Sequence, residues 1–553
     1  MSLTSWYYGK LLKLPPPHTT EIKVEKDLEI EMPDGVILLA DHYIPAMPGE
    51  DEEKLPTILF RSPYGRAGNL LARIYAERGY QVLVQSARGT AGSGGGKFVF
   101  ARHEHADGLA TIEWIKRQTW FSGKLAMAGP SYLGFTQWAV AAFAGPELKA
   151  LVAITTASDF NHFRYPGGSF ILEAIMGWSV AMYGGAATGK RFNSPLARRK
   201  ARARLDQAFN HLPLKEADVS LTGHPTLIFQ EALKYGPDDP YWQAVDFSET
   251  VKDVTAPVNL IAGWYDVFLY WQLQDYGRLR QAGRNPYLVI GPWYHGQRSD
   301  FGVTTRETLR WLDVHLKGRG PELRELPVRL FVMGANRWRD FPEWPPAAQE
   351  QPWYLQPGGG LSLDKPSGPS EPDSYRYNPA DPTPTIGGNS LGKYVGAKDN
   401  RPLEARSDVL TYTTPPLKSD YEVIGPVRAN LYVRSSLEYT DFFARLCVVK
   451  RSGQSINLCE GIISLKPGCA AAVPQEDGTL CVRVEIWPTA YRFRRGERIR
   501  LQVSSGGHPR FVRNPGSGEP LGQETTLRIA DQQIFHDSNH PSAVVLPWVR
   551  LSR

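Results

Sequence analysis

The stretch KLAMAGPSYLGFTQWAVAA, residues 124–142, carries a short apolar run into a Gly-Pro-Ser turn and directly on into an apolar helical pattern. Neither half offers a charged face to water, so both predict burial, the first as a strand and the second as a helix. A buried strand feeding a buried helix demands a sheet covered on both faces. The neighbouring segments meet that demand. LPTILFRSPY and QVLVQSARG are apolar strand-like runs, LLARIYAERG and IEWIKRQTW have helical patterns, and strand-like runs recur at PVNLIAGWYD and PYLVIGPWYH. Their alternation predicts an α/β domain with a mostly parallel sheet. Ahead of it, residues 21–45 alternate on either side of a Met32-Pro33-Asp34-Gly35 turn and predict a β-hairpin.

Residues 143–245 change character. Helical patterns there are broken by Gly and Pro loops, as expected of a helical cap inserted over the sheet, where it would roof a ligand cleft. From LPVRLFVMGANRW onward, short alternating runs dominate, among them VRANLYVRSS, CVRVEIWPTAYRF and ERIRLQVSS. These predict a β-sandwich. The expected division is 1–142 and 246–324 for the two parts of the α/β domain, 143–245 for the cap and 325–553 for the sandwich. The Gly- and Pro-rich piece from Pro357 to Asn400 reads as long surface loops.

Composition matters mainly for what it excludes. A net charge of +6 over 553 residues, with no long basic tract, argues against a nucleic-acid partner. The densest basic run, Ala197 to Arg204, reads as a solvated helix face. No run approaches the roughly eighteen consecutive apolar residues of a membrane span, and the N-terminus lacks the pattern of a cleaved signal, so a cytoplasmic location is expected. Cys447, Cys459, Cys469 and Cys481 fit no metal-binding spacing and predict reduced thiols rather than a disulfide framework.

The turn at Gly129-Pro130-Ser131-Tyr132-Leu133-Gly134 has the strand–serine–helix context of a nucleophile elbow, which exposes a hydroxyl near a helix N-terminus. The commonest elbow pattern has glycine where this chain has Leu133, with Gly134 one residue later, so spacing alone leaves a helix-capping serine open. A serine nucleophile also needs a base and a group to orient that base. Asp266, just past NLIAGWY, and His295, just past YLVIGPWY, follow two other predicted strands in the order Ser, Asp, His. The glycine-rich run after QVLVQ lacks dinucleotide spacing and the Lys-Ser/Thr ending of a nucleotide loop. His103 and His105 precede a helix expected at Asp107 to Gln118, and without a clear third ligand they read as surface or supporting residues rather than metal ligands.

Over roughly residues 23–547 the chain resembles the α/β-hydrolase family of bacterial cocaine esterase, alpha-amino acid ester hydrolases, related acylases and X-Pro dipeptidyl-peptidases. Ser131-Tyr132-Leu133-Gly134, Gly263-Trp264-Tyr265-Asp266 and Gly291-Pro292-Trp293-Tyr294-His295 match its serine, GWYD and GPW-x-H blocks. Arg61-Ser62-Pro63-Tyr64 matches its R-x-P-Y segment. The resemblance implies an α/β-hydrolase fold with an inserted helical cap and a C-terminal jelly-roll β-sandwich. Segments around Phe331, Trp344, Arg510 to Asn514 and His536 resemble parts of that sandwich. The implied chemistry is serine hydrolysis with catalytic Ser131, Asp266 and His295, and an oxyanion hole made by the Tyr64 hydroxyl and the Tyr132 backbone N–H. Ser86 stands where the family usually has aspartate, and Ala91 where it has glycine.

Acyl transfer of this kind requires no metal and no organic cofactor. The expected partner is a small-molecule ester or amide, and the resemblance leaves both monomers and homo-oligomers open. Trp264, Trp293 and Tyr132 are expected to shape an apolar substrate pocket. Ester hydrolysis leads, with amidase, acylase or X-Pro dipeptidyl-peptidase activity as the alternative. A non-catalytic binding protein with a degenerate hydrolase domain is the contrasting class.

Overall fold

The computed structural model describes residues 3–46, 54–183, 195–297, 300–318, 322–392 and 394–550. Helix α1 (Leu3–Leu11) leads into strands β1 (Ile22–Glu31) and β2 (Ile37–Pro45), which form the expected hairpin, with Ile22 opposite Pro45 and Glu31 opposite Ile37. Gly35 supplies the positive φ of its turn. Next come β3 (Thr57–Ser62), α2 (Leu70–Ala76), β4 (Gln81–Ser86), α3 (Glu104–Lys116), β5 (Leu125–Pro130) and α4 (Tyr132–Ala141). β6 (Leu148–Ile154) completes this first part of the sheet.

After the cap, β7 (Val258–Tyr265) leads through α9 (Leu269–Gln281) to β8 (Tyr287–Tyr294), and α10 (Phe301–Lys317) precedes β9 (Val328–Val332) and β10 (Arg337–Phe341). These ten strands form one sheet in the order β1-β2-β4-β3-β5-β6-β7-β8-β9-β10. Pairing is parallel from β4 to β9 and antiparallel at both ends. The central strands β3, β4 and β7 are buried throughout, as expected of strands covered on both faces. This is the α/β-hydrolase fold.

Two segments fall differently from the sequence-based divisions. LKALVAI, placed within the cap by its neighbours' helical patterns, is β6, a central strand between β5 and β7. Residues 328–341, placed in the sandwich, pair with β8 and extend the first sheet. Alternation makes a strand recognisable but does not say which sheet it joins.

The cap consists of α5 (Leu172–Ala181), α6 (Pro195–Ala208), α7 (Ala217–Thr222) and α8 (Leu227–Lys234). Arg199, Lys200 and Arg204 of the basic run are exposed on α6. The C-terminal domain is β-rich and mostly antiparallel. Its long central strand Tyr421–Ser435 pairs with Leu480–Phe493 and Ala543–Val549. No helix among the described residues is long and apolar enough to cross a membrane.

Candidate active site

Ser131 occupies the turn between β5 and α4 with φ 58° and ψ −124°. A residue with a side chain adopts positive φ at a cost of order 1–3 kcal/mol, and here the surrounding backbone holds it. Its N–H donates to the Ile154 carbonyl at 2.9 Å, and its own carbonyl accepts from the N–H groups of Gly134 and Phe135 at 2.8 and 3.1 Å. The hydroxyl makes no capping bond to α4.

The displaced glycine has a steric origin. A Cβ on Gly134 would collide with the Thr156 side chain, and one on Gly129, at φ 138°, would lie 2.7 Å from the Leu133 Cβ. The turn therefore needs glycines at 129 and 134, while Leu133 packs into the core.

Asp266 follows β7 and is fully buried. One carboxylate oxygen accepts from the Phe268 N–H at 2.8 Å, and the other meets His295 Nδ1 at 2.8 Å. That contact places the ring proton on Nδ1 and leaves Nε2 as the basic nitrogen. Burial opposes charge on His295, but the charge and hydrogen bond of Asp266, together with the charge of Asp300, raise its pKa above the usual value. Asp300 is itself pushed up to about 7, by burial first and then by the charge of Asp266.

Tyr64, in the loop after β3, keeps 46% of its surface open, and it lines cavities on both sides of Ser131. Desolvation raises its phenol pKa, and hydrogen bonds with Trp178 and Ser131 partly offset the rise, so the group remains a donor at neutral pH. The Tyr132 N–H sits at the start of α4, while its side chain has a different task. The phenol donates to Glu104 Oε1 at 2.8 Å and accepts from the Ala101 N–H at 3.0 Å. Glu104 in turn accepts from Arg61 at 2.6 Å. This buried network ties the elbow to α3 and β3.

Ser131, Tyr64 and His295 open onto a cavity of about 850 Å³ beneath the cap. Its apolar wall is built by Phe100, Phe160, Phe163, Trp178 and Phe268. Trp264 and Trp293, expected in this wall, lie elsewhere. Trp264 is buried, donates to the Phe331 carbonyl at 2.8 Å and packs on Trp344, and Trp293 packs against Trp338. Trp264 and Trp293 lie within β7 and β8, inside the sheet layers, whereas Asp266 and His295 lie just past the strand ends, and Tyr132 and Tyr294, directly beside Ser131 and His295, do line the cavity. The wall-forming aromatics come from loops and cap helices with no common period, so sequence pattern does not single them out.

The C-terminal domain also reaches the site. Leu391, Gly392, Val395 and Lys398 line the cavity. Asn389 is buried and donates from Nδ2 to the carbonyls of Trp264 and Asp266, each at 3.0 Å. Part of the stretch expected as surface loop is thus a structural wall, fixed by the buried Arg445–Glu460–Arg510 cluster.

Other singled-out residues have structural partners. The Ser86 hydroxyl accepts from Arg66 at 2.6 Å, and Arg66 takes its carboxylates from Asp41 and Asp27. His105 Nδ1 contacts the Ala139 carbonyl at 2.6 Å, and His103 precedes α3 as its cap residue. The four cysteines are unpaired. Among the described residues Asp159, His162 and Asp246 could each turn one ligand atom to a shared point, but His162 is already hydrogen-bonded to Asp159 at 2.8 Å.

Comparison with known proteins agrees with this architecture. Residues 34–297 match the family described as X-Pro dipeptidyl-peptidase (S15 family), and residues 323–545 match the X-Pro dipeptidyl-peptidase C-terminal non-catalytic domain. Cocaine esterase from a Rhodococcus species is 32% identical, covering 95% of this chain and 99% of that protein. The chain belongs to the cocaine esterase and X-Pro dipeptidyl-peptidase family. As a member of that family it is a serine hydrolase. Among solved structures, an aminopeptidase from a marine sediment archaeon, Thaumarchaeota archaeon, superposes with a TM-score of 0.81 at 23% identity, over 96% of this chain and 97% of that one. An alpha-amino acid ester hydrolase superposes with a TM-score of 0.71 at 21% identity, over 97% and 98%. Both show the shared fold.

Proposed function

We propose that this serine hydrolase cleaves carboxylic esters through an acyl-enzyme, with Ser131 as nucleophile, His295 as base and Asp266 as the group that orients it. The observation that carries the reading is the 2.8 Å Asp266–His295 pair opening onto the same cavity as Ser131, whose hydroxyl is free of helix capping. His295 Nε2 takes the Ser131 proton as Oγ attacks the carbonyl carbon. The Tyr64 hydroxyl and the Tyr132 N–H receive the negative oxygen of the tetrahedral intermediate. His295 then protonates the departing group, and a water activated by the same nitrogen releases the acid.

The aromatic wall under the cap suits an apolar acyl group, and the similarity to cocaine esterase favours esters. A peptidase reading would need a carboxylate for the substrate amino group; Glu173 and Asp206 are on the same wall, and Glu173 already accepts from the Ser390 hydroxyl. The four unpaired thiols support a reducing, cytoplasmic setting.

Burst-phase hydrolysis of p-nitrophenyl esters, beside X-Pro and aminoacyl p-nitroanilides, tests the assignment. Ester turnover that Ser131→Ala lowers by at least about 10⁴-fold is the expected result. Anilide cleavage requiring a free amino terminus would decide for the peptidase reading, and turnover surviving in Ser131→Ala would overturn the nucleophile.

A further inference from the structure

Ser131 stands where two cavities meet. Besides the one under the cap, a second of about 890 Å³ opens on the other side of the nucleophile, and Ser131, Tyr64 and His295 line both. Its outer wall is α1, through Tyr8 and Leu11, set opposite Leu70 of α2 and Phe301 and Thr304 of α10. The α1 segment lies ahead of the residues matched by either family description. It is nevertheless docked firmly. Arg306 of α10 donates to the Leu12 carbonyl, and Arg78 donates to the Pro15 carbonyl at 2.8 and 3.1 Å.

The two cavities differ in charge. Arg164, Arg202 and Lys398 line the first, with Glu173 and Asp206. The described lining of the second contains no Lys or Arg, and its one carboxylate is Asp300. Tyr7 and Leu11 at the rim of the second are 54% and 58% exposed.

An ester whose carbonyl carbon meets Ser131 Oγ, with its oxygen toward Tyr64 and the Tyr132 N–H, must send its two substituents in different directions. The acyl part has to stay while water attacks; the alcohol has to leave. We propose that the second cavity receives the alcohol portion of the ester, an uncharged alkyl or aryl alcohol, and that Tyr8 and Leu11 of α1 set which alcohols fit. This rests on the esterase reading above. His295 lines this cavity as well as the first, so the base can reach an alkoxy oxygen held there. In acylation the Ser131 Oγ–carbon bond forms and the carbon–alkoxy bond breaks. The Ser131 proton passes through His295 Nε2 to the alkoxy oxygen, which departs as the alcohol. A carboxylate-bearing alcohol meets Asp300 and, among the described lining residues, no Lys or Arg.

The test uses the full chain and two ester series. Acetates of methanol, butanol, cyclohexanol and 2-naphthol vary the alcohol, and p-nitrophenyl acetate, butyrate and benzoate vary the acyl group. Tyr8→Ala is expected to raise kcat/KM for the naphthyl relative to the methyl ester by about tenfold, and Leu11→Trp to lower that ratio comparably, a change of the size one pocket contact makes. Ratios within the acyl series should stay within about twofold of the parent. Leu11 is exposed, so its substitution leaves the core intact. A shift confined to the acyl series, or no shift in either, overturns the proposal. Ser131→Ala run in parallel separates the two claims. If it abolishes turnover while alcohol selectivity ignores both α1 variants, only the cavity assignment fails. If no Ser131-dependent turnover is found on either series, both fail.

Discussion

His295 titrates in a field set by two carboxylates. Asp266 holds Nδ1 at 2.8 Å, and the charge of Asp300 adds to the raised pKa. Asp300 is itself pushed up to about 7, and its charge is one of those that favour the imidazolium. Asp300→Asn removes a negative charge that favours the imidazolium. His295 then stays neutral, and able to act as base, to lower pH. The acid limb of kcat/KM should move to lower pH. A pH–rate profile checks this, and a limb that stays or moves up would refute the role given to Asp300.

The elbow shows what one element requires of its residues. Helix α4 starts against Thr156, and the space for that contact is the missing side chain of Gly134. Gly134→Ala must move α4 or the loop after β6, an overpacking cost of about 1–3 kcal/mol. Because the Tyr132 N–H rides on the same turn, the thermal midpoint and kcat should both fall, and thermal unfolding beside steady-state kinetics measures them. An unchanged midpoint would mean that Thr156 yields freely. At this scale the elbow, the hairpin and the strands before Asp266 and His295 are legible as local patterns. LKALVAI is not, because its seven residues sit among helical segments and its identity as a strand comes from pairing with β5 and β7.

Across the whole molecule, the cavity is closed by three parts of the chain, and the C-terminal domain contributes by supporting Asp266 from behind through Asn389. The strip carrying Asn389 rests on a buried cluster in which Glu460 pairs with Arg445 at 2.6 Å and also with Arg510. Glu460→Ala leaves two buried guanidinium groups without their carboxylate, a loss of about 3–5 kcal/mol. A lowered thermal midpoint is expected, with kcat falling as the strip shifts away from Asp266. Retention of both would show that the C-terminal domain is dispensable to the site.

Sequence by itself determined the parallel α/β core, the β-rich C-terminal part and the strand-end positions of Ser131, Asp266 and His295. Each depends on periodicity and turn chemistry within a few residues. Only the tertiary structure decided that Asp266 and His295 meet and that Trp264 and Trp293 pack away from the cavity. It alone brought Trp178 and Tyr8 to the cavities that Ser131 lines, and Asn389 to the carbonyl of Asp266. The reason is physical: a local pattern says which face of an element is buried, whereas a cavity is the space left between elements far apart in the chain, and its walls have no shared spacing to read.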